Sequence, residues 1–217
     1  MTSILFSAGF RVFFPLGAIG AVLLLPYWVM VISGYSDYLP SYFAPVAWHQ
    51  HEMIFGVFVP IIIGFLFTAV PNWTGKPSPK GLPLALLGLL WILGRLCVFY
   101  GAQLPEYIVV IIDVSLLPLA IMGIGPSIFK AGNKRNYFLP VLLIILAGFN
   151  LFSHLSALGL IGLDENNFLI ASLLFVVMLI NVIGGRVAPS FLKNKYPTVE
   201  QKSFKAVLPI SMISIFS

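Results

Sequence analysis

Ala47-Trp48-His49-Gln50-His51-Glu52-Met53-Ile54-Phe55-Gly56 opens a long apolar run that continues to Val70 with no charge after Glu52. An α-helix needs ~20 predominantly apolar residues to cross the hydrocarbon core of a bilayer, and this run is of that length. Two of the three histidines of the chain stand at its mouth beside a glutamate. Titratable groups at that depth are costly unless something compensates their desolvation. The stretch therefore decides the fold class, and it marks where a functional site is to be sought.

The rest of the composition agrees. Of 217 residues, 59% are hydrophobic and 9% charged, with a mean hydropathy of +1.02. A soluble domain is roughly one-quarter charged. Similar apolar windows recur at 12–32, 46–70, 82–100, 107–128, 137–160 and 168–187, and a seventh begins near Val207. Strands of a membrane barrel would be about half as long and would alternate in polarity. The expected fold is all-α: one polytopic transmembrane bundle over residues 1–217, with six spans and the start of a seventh. Pro15, Pro26, Pro60 and Pro118 fall inside spans, where proline is tolerated and kinks are expected. The first apolar stretch lacks a basic run before it and is too long for a signal-peptide core, so it reads as a first span.

Charge placement sets the orientation. Arg11 precedes the first span, Lys76 and Lys80 lie in the second loop, and Lys130, Lys134 and Arg135 in the fourth. Lys193, Lys195, Lys202 and Lys205 follow the sixth span, after Arg186 at its end. The first, third and fifth loops carry only Asp37, Glu106 and Asp164-Glu165. The positive-inside rule then puts the N-terminus and the even loops in the cytoplasm. The net charge of +5 is thereby explained by topology, and nucleic acid is excluded as a partner. The Asn72-Trp73-Thr74 pattern would face the cytosol and is void as a glycosylation site. Cys97, the only cysteine, can form no internal disulfide.

Counting 1.5 Å per residue from the span ends gives depth. His49, His51 and Glu52 enter from outside on the second span, and Arg95 lies roughly 8 Å below the same surface on the third. Asp113 on the fourth and His154 on the fifth come to nearly that level, with Asn150 one turn deeper on the face of His154. Charged residues at a helix centre cost about 2.5–3.5 kcal/mol each on insertion scales, so partners are required. The third loop is short, which makes the third and fourth helices antiparallel neighbours. Arg95 and Asp113 are expected to meet as a buried ion pair, either as a structural clasp or to tune a cofactor site.

His49 and His51 are two residues apart, so on a regular helix they point about 200° apart and cannot share one metal. Glu52 is expected on the face of His49. Neutral imidazole is a common ligand of haem iron and of copper, and bundles bind haem between histidines on facing helices. The expected ligands are His49, His51 and His154, with Glu52, Arg95, Asp113 and Asn150 fixing tautomer and local charge. Each alone also fits an ordinary hydrogen-bonded polar residue. Trp28, Trp48, Tyr100, Tyr107 and Tyr137 read as interfacial belts. Gly56 and Gly64 suit close helix packing, and Asn181 an interhelical hydrogen bond. Gly184-Gly185-Arg186 reads as a helix end with a snorkelling arginine. No nucleophile elbow, Walker loop or CxxCH is present, so any haem would be held noncovalently.

Four stretches resemble the NnrS family of bacterial membrane proteins. They are Phe10-Arg11-Val12-Phe13-Phe14, the run from Trp48 to Gly56, Gly64-Phe65-Leu66-Phe67-Thr68-Ala69-Val70-Pro71-Asn72-Trp73-Thr74-Gly75, and Gly184-Gly185-Arg186-Val187. Their order and spacing fit as well; the family usually has proline where Val12 stands. The resemblance implies a haem- and copper-containing inner-membrane protein of the nitric oxide response and denitrification. It also implies a fold of about twelve spans of bilayer length, so the chain is expected to be an N-terminal half, cut within its seventh span. Haem iron or copper would bind nitric oxide directly, for turnover, sequestration or sensing. The rival readings are a proton- or ion-coupled transporter, whose polar residues would continue across the membrane, and a structural or assembly subunit.

Overall fold

The computed structural model describes residues 4–36, 40, 42–132, 134–196, 198 and 214. The described residues are helical, with no strand among them. α1 runs Gly9–Ile32, α2 Pro45–His51, α3 Val59–Thr74, α4 Leu82–Phe99, α5 Glu106–Lys130, α6 Phe138–Ala157 and α7 Glu165–Lys195. A π-helical segment, Glu52–Phe58, joins α2 to α3, so that 45–74 forms one long span. Six helices are long and apolar enough to cross a membrane, and the chain is a multi-pass membrane protein. The seventh span expected from Val207 falls almost wholly outside the described residues, as does the side chain of Arg186.

Helix ends follow the local chemistry. Pro45 occupies the first turn of α2, where its fixed φ suits a helix start and its missing N–H costs nothing. α3 stops at Gly75, whose φ of +66° turns the chain left-handed while its N–H caps the Pro71 carbonyl at 2.8 Å. Glu106 begins α5 and Lys130 ends it, each complementing the helix dipole.

The π-helical segment has an identifiable cause. Pro60 has no N–H to give to the carbonyl four residues back, and its ring crowds that carbonyl. The ladder relaxes to the wider register, with Val59 N–H bonding Ile54 O. The Gly56 carbonyl faces α1 at Gly20, where an added Cβ would lie 2.9 Å from it. Only glycine permits that approach, as in small-residue contacts of membrane helices. Around it α1 buries Phe13 against Phe67 of α3 and Val12 against Gly88 of α4, and α5 packs between α4 and α6.

The chain divides into two compact units, Met1–Leu169 and Ile170–Ser217. The first contains α1 to α6 and the start of α7; the second contains the rest of α7. Asn181 donates to the Val177 carbonyl of its own helix at 3.0 Å instead of bridging helices. Tyr100 and Tyr107 are exposed as belt residues should be, but Trp48 is fully buried. It packs edge-on against Tyr27 and Phe99, so its helix turns that ring inward.

Candidate metal centre

Five helical segments bring their polar residues to one end of the first unit, the end where α2 and α5 begin and α4 and α6 finish. His51 closes α2, Glu52 opens the π-helical segment, Arg95 lies in α4, Asp113 in α5, and Asn150 and His154 in α6. His51, Glu52, Asp113, Asn150 and His154 are all buried.

Arg95 bridges two carboxylates. Its Nη1 donates to Glu52 Oε1 at 2.5 Å and its Nη2 to Asp113 Oδ1. The expected Arg95–Asp113 pair is present, and Glu52 joins it. A buried guanidinium needs this much compensation, because an ion pair in a low-dielectric interior stands only with good geometry and satisfied donors. The other oxygen of Asp113 gathers three donors: Asn150 Nδ2 at 2.9 Å, His154 Nε2 at 3.1 Å and His51 Nε2 at 3.2 Å. His51 Nε2 also faces Asn150 Oδ1 at 3.0 Å, while its Nδ1 donates to Glu52 Oε1 at 3.1 Å.

His51 and His154 meet with ring centres 5.3 Å apart and planes nearly perpendicular. His51 Nε2, Asp113 Oδ2 and His154 Nε2 thus converge, and these three residues form a group able to hold a metal ion. Two donors of a tetrahedral site with bonds of about 2.0–2.1 Å stand about 3.3 Å apart. The observed 3.1 and 3.2 Å need little adjustment.

His49 is elsewhere. Its ring lies flat on Trp28, 4.8 Å between centres and 7° between planes, and its Nδ1 is buried without a partner. The two-residue offset separates the histidines as the helical period requires. Glu52 goes with His51 and not with His49, since the helix widens at Glu52 and its carboxylate reaches across to Arg95.

Two contributors carry no signal in the sequence. Tyr42 and Phe43 come from the connection between α1 and α2, yet both are buried. The Tyr42 hydroxyl lies 2.9 Å from His154 Nδ1. Phe43 stacks on His51 at 4.8 Å and leans on His154 at 5.1 Å. Burial, reinforced by the Asp113 and Glu106 carboxylates, pushes the Tyr42 phenol above the ordinary tyrosine range, so it keeps its proton. Only the general rule that a ligating imidazole needs a partner on its second nitrogen would have prompted a search for it.

Towards the opposite end, three polar side chains of α3 turn back onto that helix. Thr68 donates to Gly64 O at 2.8 Å, Asn72 to Thr68 O at 3.2 Å and Thr74 to Val70 O at 2.7 Å.

A family model described as NnrS protein matches residues 4–217 of the chain. No curated protein and no solved structure matches it.

Proposed function

The chain belongs to the NnrS family, and on that premise we propose that it is a copper-binding protein of the bacterial inner membrane acting in the nitric oxide response. His51, Asp113 and His154 would hold the ion, close to the outer surface, with the N-terminus cytoplasmic. The observation that carries this reading is the convergence of three buried donor atoms from three helices on one small volume.

Charge supports it too. Glu52 and Asp113 bring two negative charges and Arg95 brings one positive, which leaves one negative charge to be met by a proton or a metal cation. Two imidazoles and a carboxylate are donors that iron, zinc and copper all accept; copper is the ion that the family resemblance implies. Haem is the other group the resemblance implies, and the His51–His154 pair does not fit it. Both Nε2 atoms lie against one carboxylate oxygen and Phe43 covers the His51 ring, so a macrocycle has no slot between them.

When bound, copper supplies an electrophile to which nitric oxide can attach. The chain supplies the remainder. Glu52 holds His51 by Nδ1, which keeps Nε2 directed inward; Arg95 fixes both carboxylates; Asn150 orients Asp113. Ligand orientation by such partners typically governs affinity 10–100-fold.

The test is copper analysis of the detergent-purified full chain after loading and gel filtration. Wild type and His49→Ala should retain about one copper per chain, and His51→Ala and His154→Ala should lose it. A wild type without copper, or equal retention in the His51 and His154 variants, would overturn the proposal.

A further inference from the structure

Tyr42 lies in no span, yet its hydroxyl is the group that meets Nδ1 of His154, the ring nitrogen turned away from Asp113. From this geometry we infer that Tyr42 is a positioning residue of the metal centre: it sets which nitrogen of His154 faces the ion. The inference rests on the reading of His51, Asp113 and His154 as the ion's ligands.

The hydrogen-bond pattern puts a proton on His154 Nε2, directed at Asp113 Oδ2 at 3.1 Å. Nδ1 is then bare, and the Tyr42 O–H donates to it. A metal on Nε2 requires the other tautomer, because neutral imidazole carries one N–H and coordinates through the nitrogen without it. Nδ1 must then become the donor and its partner an acceptor. A hydroxyl can play either part by rotating about its C–O bond. A carboxylate could only accept, and an ammonium could only donate. Tyr42 therefore accommodates both states with no movement of its ring.

The ring is held for this role. Phe43, the next residue, packs 5.0 Å from it and against both imidazoles. On the other side Gly101 leaves it room: an added Cβ there would stand 2.7 Å from Tyr42 Cβ and 2.8 Å from Cγ. The two ligating histidines are thus unequal. His51 leans on the Glu52 carboxylate and His154 on a phenol, which is the weaker acceptor.

The experiment uses Cu(II) as probe on the full chain in detergent, comparing wild type with Tyr42→Phe. Pulsed electron paramagnetic resonance reads the non-coordinated nitrogen of each copper-bound imidazole, whose coupling depends on its hydrogen bond. Wild type should give two classes of remote nitrogen. Tyr42→Phe should change one class, leave the other, and bind Cu(II) about 10–100-fold more weakly. An unchanged spectrum and affinity in Tyr42→Phe would overturn the role of Tyr42 while leaving the ligand set intact. A wild type with no imidazole signal would overturn both. Should Tyr42→Phe fail to fold, difluorotyrosine at the same position keeps the shape and weakens the oxygen as acceptor; a shift in the same class supports the inference, and no shift overturns it.

Discussion

Asp113→Asn isolates the centre's electrostatics with almost no change of shape. Asp113 accepts from Arg95 on one oxygen and from Asn150, His51 and His154 on the other. Asparagine must put an NH₂ where one of those oxygens stands, and either way a buried donor then faces a donor. An unsatisfied buried donor costs about 1–3 kcal/mol. Breaking a buried ion pair costs about 3–5 kcal/mol when the remaining charge is stranded, but Arg95 keeps Glu52 Oε1 at 2.5 Å. The expected loss is thus about 2–4 kcal/mol, between those two limits. At roughly 2–4 °C per kcal/mol for a chain of this size, the melting temperature in detergent should fall by several degrees. Met122→Leu, on the exposed side of the same helix, is the control and should leave it unchanged. Glu52→Gln should cost less than Asp113→Asn. The double variant should cost more than the sum of the two, because it leaves Arg95 with no carboxylate at all. Equal melting of Asp113→Asn and Met122→Leu, or additivity of the pair within about 0.5 kcal/mol, would refute the reasoning.

Gly101→Ala should push the Tyr42 ring off its seat, costing about 1–3 kcal/mol in thermal unfolding as overpacking does, and should weaken Cu(II) binding in the same direction as Tyr42→Phe. Because the folded protein holds the Tyr42 phenol protonated beyond its ordinary value of 10.0, the stability this gives is complete below pH 10 and drains away as pH rises past it. Melting curves of wild type should therefore decline more steeply than those of Tyr42→Phe above that pH; parallel curves would contradict it. For orientation, a cysteine replacing Glu106 should react with a membrane-impermeant maleimide added to intact cells, whereas one replacing Lys80 should not. The opposite pattern would invert the assigned topology.

The spans were legible because lipid leaves the chain few choices: every backbone group must be satisfied within the helix, and length is set by thickness. The windows 12–32 and 82–100 differ from α1 and α4 by a few residues at most. Depth was legible for the same reason, since a fixed rise per residue brings Arg95, Asp113 and His154 to one level. Direction was not. Sequence spacing separated His49 from His51 correctly, but which of them looked inward depended on packing against Trp28 and Phe43. The side taken by Glu52 depended on the π-helical register that Pro60 imposes, which shifts side chains around the helix without altering composition. Tyr42 was invisible because loop residues have no period from which a facing direction can be read.

A purely structural clasp would be expected to satisfy its members fully, and this cluster does not. Arg95 spreads over two carboxylates and leaves its Nε, with Glu52 Oε2, buried and unpartnered. Meanwhile three N–H groups approach Asp113 Oδ2, the one from His51 shared with Asn150 Oδ1, although a carboxylate oxygen offers about two lone-pair directions. One end of the network is starved of partners and the other has too many donors. A better clasp was chemically close at hand, with Arg95 bidentate on one carboxylate and a single histidine on the other. The surplus of donors at Oδ2 disappears if a cation replaces the two imidazole protons, since both Nε2 atoms then turn from rivals for the oxygen into its fellow ligands. On the proposed reading, two histidines from different helices point at the same atom because all three groups are ligands of one ion.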